Sequence, residues 1–171
     1  TICDLAKAPA VSWLSSMGQT GFTAYAGLIP VGQFQAGETI FVTGAGGAVG
    51  SMAGQFARLL GASSVVGSAG GAQKCAWLVD DCGFDHVINY RDADVRAELP
   101  KALPNGIDLF FDNVGGWQMV AALHNMKING RISMCGAVSN FGTKDQPSLA
   151  ELIEVVLRRV TIRGFIVRDF E

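Results

Sequence analysis

Residues 39–60 of the chain are TIFVTGAGGAVGSMAGQFARLL, and this stretch decides the fold. Its first residues, Thr39–Thr43, are rich in β-branched and aromatic side chains and predict a strand. A glycine-rich turn follows, and Ala48–Leu60 then has the periodicity of a helix that ends at Gly61. A strand, a glycine turn and a helix in this order predict a nucleotide-binding unit.

The residue types in this turn suit a pyrophosphate. The phosphates must approach the start of a helix, where free N–H groups and the helix dipole favour negative charge. Side chains would block that approach, and Gly44, Gly47 and Gly50 leave it open in a G-x-x-G-x-x-G spacing. The strict G-x-G-x-x-G pattern is not met, because Val49 stands where its last glycine would be. An ordinary tight turn is the alternative interpretation.

The turn also comes close to the pattern of short-chain dehydrogenases, T-G-x-x-x-G-x-G. That class needs a Tyr-x-x-x-Lys pair for catalysis. The chain has two tyrosines, Tyr25 and Tyr90, and four residues after them stand Ile29 and Asp94. The short-chain interpretation therefore fails on its own chemistry.

Strand-like and helix-like segments alternate from residue 39 onward. The strands are predicted at Thr39–Thr43, Ser64–Gly67, His86–Asn89, Ile107–Asp112, Arg131–Met134 and Val160–Phe165. The helices after the first are predicted at Gln73–Asp80, Asp92–Lys101, Trp117–Met126 and Leu149–Leu157. This alternation predicts an α/β fold of the Rossmann type, a doubly wound six-stranded parallel sheet of order 3-2-1-4-5-6 with helices on both faces.

The chain divides into two segments at the sequence level. Residues 1–38, with a short helix at Thr20–Leu28, are expected to be a lead-in segment, and residues 39–171 an NADP-binding Rossmann domain. Because the chain begins with Thr1 rather than Met, we expect an excised part of a longer protein.

Composition excludes several functions. The 171 residues carry a net charge of -2, which predicts no nucleic-acid partner. No run of about 18 apolar residues predicts a membrane span, and the start of the chain lacks a secretory signal pattern. Four cysteines and two histidines fit no known zinc spacing, so we expect no metal and free thiols in a reducing cytoplasm.

The end of the second strand predicts which dinucleotide is bound. A site for NAD usually has an Asp or Glu about 20 residues past the glycine turn, to hold the ribose 2′-hydroxyl. Residues 67–71 here are GSAGG, without an acid, and the next ionisable side chain is Lys74. A cation attracts a 2′-phosphate, which favours NADP. A solvated lysine on a helix face is the alternative.

The sequence resembles the zinc-independent medium-chain reductases that include prostaglandin reductases, plant double-bond reductases and bacterial curcumin reductases. The matching segments run through nearly the whole chain in order: Gly21–Leu28, Gly47–Ser51, Lys74–Cys75, Gly83–Asp85, Ile88–Tyr90, Phe111–Gly116, Cys135–Ser139 and Gly164–Val167.

The resemblance implies roles for these residues around NADP(H). Gly47, Ala48, Val49 and Gly50 would cradle the pyrophosphate, and Lys74 and Tyr90 would hold the 2′-phosphate. Asn113 would lie near the nicotinamide ribose. The nicotinamide pocket would be lined by Cys135, Gly136, Ala137, Val138, Ser139, Asn140 and Phe141. Main-chain atoms of Phe165, Ile166 and Val167 would close over the cofactor.

The resemblance also implies hydride transfer from NADPH to the C=C bond of an α,β-unsaturated ketone or aldehyde. The substrate cleft would be completed by a catalytic domain that this chain lacks, so no catalytic residue is assigned and the domain is expected to be inactive alone. Many relatives have Tyr at the position of Phe141, and Phe cannot donate a hydrogen bond to a developing oxyanion. An NADPH quinone reductase and a non-enzymatic NADP-binding module therefore stay open as alternatives.

Two further features lie outside the motifs. Asp108 and Asp112 flank the fourth strand, and solvated strand ends are favoured over paired catalytic carboxylates. The sixth strand would form an apolar sheet edge, which invites pairing with another chain and predicts a homodimer.

Overall fold

The computed structural model describes residues 6–140 and 148–170, and six parallel strands form its central sheet. The strands are β1 Thr39–Val42, β2 Ser64–Ala69, β3 His86–Asn89, β4 Ile107–Asp112, β5 Met126–Met134 and β6 Thr161–Gly164. Their order is β3-β2-β1-β4-β5-β6, and every adjacent pair is parallel. The predicted Rossmann fold and its strand order are confirmed.

Helices connect the strands and cover the sheet. They are α1 Ala10–Leu14, α2 Gln19–Ala26, α3 Ala48–Leu59, α4 Ala72–Asp80, α5 Val95–Ala102, α6 Gly116–Leu123 and α7 Ile153–Arg158. A π-helical turn, Gly27–Val31, continues α2, and single 3-10 turns occur at Val138–Asn140, Leu149–Leu152 and Val167–Phe170. No helix among the described residues is both long and apolar enough to cross a membrane.

The sheet separates two apolar clusters because successive strand residues point to opposite faces. Ile40 and Val42 face the cluster that α3 completes with Ala53 and Ala57. Phe41 faces the other cluster, where its ring stacks on Phe110 with the centroids 5.4 Å apart. Strands buried on both faces explain the nearly continuous apolar runs of β1 and β4.

The largest difference from the sequence prediction lies between residues 116 and 134. The predicted helix Trp117–Met126 ends at Leu123, and β5 begins at Met126 rather than Arg131. Met126 pairs with Ile107, and the register then shifts before Leu109 pairs with Arg131. The apolar pattern of residues 117–126 predicted a longer helix. Met126 instead belongs to β5, because it pairs with Ile107 of another strand.

The other boundaries differ by smaller amounts. β2 continues to Ala69 because all its residues after Ser64 are buried between β1 and β3, whereas the predicted strand ended at Gly67. The charged stretch near residue 92 becomes helical only after Asp94, whose carboxylate accepts a hydrogen bond from the Arg96 amide and caps α5. The predicted helix in 149–157 is a 3-10 turn that continues into α7.

The strand order places one site. The order in which strands are added to the sheet reverses between β1 and β4, because β2 and β3 lie on one side of β1 and β4–β6 lie on the other. Ligands of such sheets bind beyond the carboxyl ends of the strands at this point. The turns that begin at Thr43, Gly70 and Asn113 all lie at this edge.

Candidate functional site

The glycine turn between β1 and α3 is held against the ends of β1 and β2. The Gly47 amide donates to the Gly44 carbonyl at 2.9 Å, and the Ala45 amide donates to the Ser68 carbonyl at 2.9 Å. Gly44 has a φ of 59°, in the left-handed region that favours glycine. A Cβ at Gly50 would lie 2.4 Å from the Gly44 carbonyl oxygen, so the missing side chain lets α3 start directly against the turn.

A cleft of about 450 Å³ opens beside this turn, a size common for small-molecule sites. It is lined by Gly44, Gly46, Gly47, Ala69, Gly70, Lys74, Tyr90, Arg91, Val114, Gln118, Val138 and Ser139. Five of these, Gly47, Lys74, Tyr90, Val138 and Ser139, are predicted site residues that the fold brings together from four separate segments.

Among the residues that the structure describes, cations but no acids line this cleft. The side chain of Lys74, on the first turn of α4, lies over the glycine turn, where a Cβ at Gly46 would be 3.0 Å from the Lys74 Cδ. Directly after β2, a Cβ at Gly70 would be 2.6 Å from the Tyr90 hydroxyl and 3.0 Å from the Arg91 Nε. Gly70 therefore lets Tyr90 and Arg91 lie across the end of β2. Lys74 and Arg91 give the described lining of the cleft a net positive charge.

Asn89 ties together the two loops that carry these side chains. Its Oδ1 accepts hydrogen bonds from the Gly71 amide at 2.9 Å and from the Arg91 amide at 3.3 Å. Its Nδ2 donates to the Asp92 carboxylate. The loop before Lys74 and the loop that holds Tyr90 and Arg91 are thus fixed relative to each other by one side chain.

Asp112 organises the opposite wall of the cleft. Its Oδ1 accepts hydrogen bonds from the Thr43 hydroxyl at 2.7 Å and from the Val114 and Gly115 amides, both at 2.9 Å. Its main-chain carbonyl accepts the amides of Cys135 at 2.8 Å and Gly136 at 3.1 Å. This one residue joins the turns that follow β1, β4 and β5.

Asp112 is 0% exposed, so the interpretation of its carboxylate as a solvated strand end is wrong. Burial raises the pKa of this carboxyl, and the hydrogen bonds from Gly115, Thr43 and Val114 offset only part of that effect. The Asp108 carboxyl is half-buried and accepts from the Thr39 amide and from the Lys127 ammonium, so it too has partners other than water. Both carboxylates are structural.

Asn113 and Cys135 lie at the switch between the halves of the sheet but do not line the cleft. The Asn113 side chain donates to the Thr43 carbonyl at 2.7 Å, and the Asn113 amide donates to the Thr43 hydroxyl at 2.9 Å. Burial, with a further contribution from the charge of Asp112, raises the pKa of the Cys135 thiol to about 11. Cys135 is therefore a neutral thiol near pH 7 and a poor nucleophile.

Five further predicted residues do not line the cleft: Ala48, Val49, Gly50, Gly136 and Ala137. Ala48, Val49 and Gly50 form the first turn of α3, and Gly136 and Ala137 follow β5. Asn140 ends a 3-10 turn, and Phe141 lies outside the described residues. Their contacts with a cofactor stay predictions.

The segment Phe165–Val167 packs against the sheet and the lead-in segment. The Phe165 ring meets Phe111 edge to face at 6.4 Å, and a Cβ at Gly27 would lie 2.4 Å from the Phe111 ring. Val167 is buried, whereas Ile166 is exposed. A main-chain contact of this segment with a cofactor also stays a prediction.

Sequence reasoning missed six residues that line the cleft: Gly46, Ala69, Gly70, Arg91, Val114 and Gln118. Arg91 could have been found as a cation directly after Tyr90. No sequence pattern indicates that Gln118 lines the cleft. Its Oε1 accepts a hydrogen bond of 2.5 Å from the Ser68 hydroxyl, which lies 50 residues earlier in the chain.

A second cleft of about 480 Å³ adjoins the first and shares Tyr90 and Gln118 with it. Its other lining residues come from the starts of α5 and α6 and include Arg96 and Trp117. Trp117 is 50% exposed at this place.

The sequence matches a family model described as zinc-binding dehydrogenase over residues 48–171. Among curated proteins it is similar to the (+)-pulegone reductase of Mentha piperita, with 39% identity over 163 residues that cover 95% of this chain and 47% of that protein. The NADP(+)-dependent 2-alkenal reductase of Nicotiana tabacum is 43% identical over 155 residues, 90% of this chain and 45% of that protein.

Among solved structures, CurA from Vibrio vulnificus in complex with NADPH matches with a TM-score of 0.86 and 39% identity. The match covers 95% of this chain and 50% of that one. The chain thus spans about half the length of the relatives it matches.

The family description mentions zinc. No group of three or more His, Cys, Asp or Glu side chains that could hold a metal ion occurs in residues 6–140 and 148–170. The described part of the chain therefore does not fit a zinc site, and no step below uses a metal.

Proposed function

The chain belongs to the zinc-binding dehydrogenase family of medium-chain dehydrogenases and reductases, and from this premise we propose that it is the cofactor-binding part of an NADPH-dependent oxidoreductase. One observation carries the proposal. A cleft at the switch point of the sheet joins a glycine turn to two cationic side chains, and its described lining, within residues 6–140 and 148–170, includes no carboxylate.

The glycine turn fits the pyrophosphate. The start of α3 has amide N–H groups without acceptors inside the helix, and the helix dipole adds partial positive charge there. Gly46 and Gly47 add no side chain of their own at the approach to these amides, and the Lys74 side chain lies beside Gly46. Gly47, Ala48, Val49 and Gly50 are the proposed pyrophosphate cradle.

Lys74 and Tyr90 are the proposed ligands of the 2′-phosphate. The Lys74 ammonium supplies a positive charge and the Tyr90 hydroxyl a hydrogen-bond donor, and both line the same cleft. An acid in this place would instead favour the free 2′-hydroxyl of NAD. The cofactor proposed for this chain is therefore NADP(H).

The bound cofactor would supply a hydride to the β-carbon of an α,β-unsaturated ketone or aldehyde. Residues of this chain would orient the nicotinamide end: Asn113 near its ribose, Cys135–Phe141 along the ring, and Phe165–Val167 as main-chain cover. The high pKa of the Cys135 thiol supports a packing role there and not proton transfer. The names of the pulegone and 2-alkenal relatives support this substrate class.

The substrate side of the site is proposed to lie in a catalytic domain outside this chain, with residues 1–38 as the segment that connects to it. Coverage of about half of each relative supports this arrangement. Phe141 lacks the hydroxyl that would help an oxyanion, and this favours a quinone as the second candidate substrate. NADPH oxidation by the full-length enzyme with an enal, an enone and a quinone distinguishes the two.

A homodimer in the cytoplasm is also proposed. Among the described residues β6 pairs with β5 alone and lies at the edge of the sheet, and such edges favour pairing with a second copy. The free thiols of Cys75, Cys82 and Cys135 support a reducing compartment. Sedimentation that gives a monomer at high protein concentration would contradict the dimer.

The first test of the function is a paired titration of the protein with NADPH and NADH. We expect tighter binding of NADPH, and Lys74→Ala should weaken NADPH binding at least tenfold while leaving NADH binding within about twofold, because a charge-assisted contact contributes roughly 1.5–3 kcal/mol. Lys101→Ala is the matched control, since Lys101 is an exposed lysine on α5 outside the cleft. Equal affinity of the wild type for the two nucleotides would contradict the proposal.

A further inference from the structure

Arg91 is a cation of the cleft that none of the assigned roles uses. It lies two residues after the end of β3, lines the cleft together with Lys74 and Tyr90, and is exposed. Its Nε lies close to Gly70, where a Cβ would be 3.0 Å away. The guanidinium therefore lies close to the end of β2.

The side chain of Arg91 is free to bind a ligand. Within the described residues its guanidinium makes no hydrogen bond or ion pair, and the hydrogen bond between Arg91 and a side chain is donated by its backbone amide to the Asn89 Oδ1. Three other arginines form ion pairs with carboxylates of the protein: Arg58 pairs with Asp85, Arg131 with Glu38 and Arg158 with Glu154.

The backbone that carries Arg91 is fixed in advance. Asn89 Oδ1 accepts from both the Gly71 amide and the Arg91 amide, so the Arg91 loop is tied to the loop that precedes Lys74. The neighbouring acid, Asp92, is engaged by the Asn89 Nδ2 and does not line the cleft. The two cations thus line one cleft, and no carboxylate is among its described lining residues.

We propose that Arg91 and Lys74 together bind the 2′-phosphate of NADPH, and that Arg91 is a determinant of the preference for NADPH over NADH. This inference rests on the proposed function. A phosphate monoester carries close to two negative charges near neutral pH, which two cations neutralise better than one. The planar guanidinium can donate two parallel hydrogen bonds to the phosphate oxygens, which an ammonium cannot.

The test compares NADPH and NADH binding in the wild type, in Arg91→Gln and in Arg91→Lys, measured by calorimetry at constant salt. Arg91→Gln should raise the Kd for NADPH about tenfold and leave the Kd for NADH within twofold. Arg91→Lys should fall between the wild type and Arg91→Gln, because it keeps the charge and loses the planar fork. Arg159→Gln is the control, since Arg159 is an exposed arginine at the end of α7, outside the cleft, whose side chain donates to the Leu157 carbonyl.

The outcomes separate this inference from the function beneath it. A wild type that prefers NADPH, together with an Arg91→Gln variant that keeps the whole preference, would overturn the role of Arg91 and leave Lys74 and the function in place. Parallel weakening of NADPH and NADH in Arg91→Gln would also overturn it, because the effect would then be structural. A wild type without preference for NADPH would overturn the function and this inference with it.

Discussion

At the scale of single residues, two side chains that touch no ligand in the proposal set the geometry of the cleft. Asn89 fixes the loops that carry Lys74, Tyr90 and Arg91, and Asp112 fixes the turns after β1, β4 and β5. Asn89 acts through two backbone amides, whereas Asp112 uses its carboxylate for the turns after β1 and β4 and its main-chain carbonyl for the turn after β5. The chemistry of the cleft therefore depends on residues behind the surface that a ligand would contact.

Replacement of Asn89 tests this dependence. Asn89→Ala removes the acceptor for the Gly71 and Arg91 amides, so we expect an NADPH Kd several times higher and a loss of about 1 kcal/mol in the free energy of unfolding. Asn105→Ala, in an exposed turn before β4, is the control. Titration and urea unfolding give the two quantities, and unchanged NADPH binding in Asn89→Ala would argue against a positioning role.

Asp108 gives a prediction about pH. Burial alone would raise the pKa of its carboxyl, but hydrogen bonds from Lys127 and Thr39 outweigh burial and lower it. A carboxyl with a lowered native pKa contributes stability above its unfolded pKa, and this contribution is lost as the pH falls through the native value. Asp108→Asn should therefore cost about 1–2 kcal/mol at pH 7 and progressively less below about pH 5.

Urea unfolding at a series of pH values measures this difference. Asp80→Asn, at the exposed end of α4, is the control and should follow the wild type. A difference between Asp108→Asn and the wild type that stays constant down to low pH would show that the lost stability does not come from the charge of Asp108.

The roles of individual residues in the cleft could be predicted from the sequence only in part. The absence of an acid after β2 and the presence of Lys74 predicted the cationic character of the cleft. Tyr90 came from the family resemblance alone. Gln118 and the burial of Asp112 could not be predicted, because both depend on contacts with Ser68 and Thr43 that the fold brings from 50 and 69 residues away.

At the scale of elements, the glycine turn works because α3 begins directly against it. A Cβ at Gly50 would lie 2.4 Å from the Gly44 carbonyl oxygen and 2.8 Å from the Ala45 Cα. Both neighbours are backbone atoms and cannot rotate away. The close start of the helix is therefore tied to the absence of one side chain.

Gly50→Ala should separate the turn from the helix. Alanine would normally gain about 1 kcal/mol inside a helix, but here the backbone clash should dominate and give a net loss of about 2 kcal/mol with weaker NADPH binding. The same change at Gly164 is the control, because a Cβ there has nothing within 4 Å. Thermal unfolding and NADPH titration compare the two variants, and a Gly50→Ala protein as stable as Gly164→Ala would refute the clash.

Element boundaries were predictable where local pattern and burial agree. β3 and β4 were predicted to the residue, because each is bounded by loop residues and its apolar run ends with it. The start of β5 was missed, because Met126 joins the sheet through Ile107 and the register then shifts. The residues around Met126 do not by themselves indicate that it pairs with a strand that lies about twenty residues earlier in the chain.

At the scale of the whole molecule, the strand order was predictable because alternating strands and helices with right-handed crossovers leave few topologies. The order in turn fixes the cleft, since loops from both halves of the sheet meet only between β1 and β4. A ligand held there contacts both halves and should stabilise the entire fold rather than one loop.

Thermal unfolding with and without nucleotide measures this coupling. At a concentration of NADPH about 100 times its Kd, the native state should gain about 2.7 kcal/mol, which raises Tm by about 5–10 °C for a chain of this size. NADH at the same concentration should raise Tm less. Equal shifts for the two nucleotides would contradict selection by the 2′-phosphate.

The position of Trp117 has an optical consequence. Its indole is half exposed in the cleft that adjoins the nucleotide cleft, and the two clefts share Tyr90 and Gln118 as a common wall. Reduced nicotinamide absorbs light in the range where indole emits. Occupancy of the neighbouring cleft should therefore quench the emission of Trp117, one of three tryptophans in the chain, and the part of the quenching that Trp117→Phe removes reports cofactor binding without an attached dye.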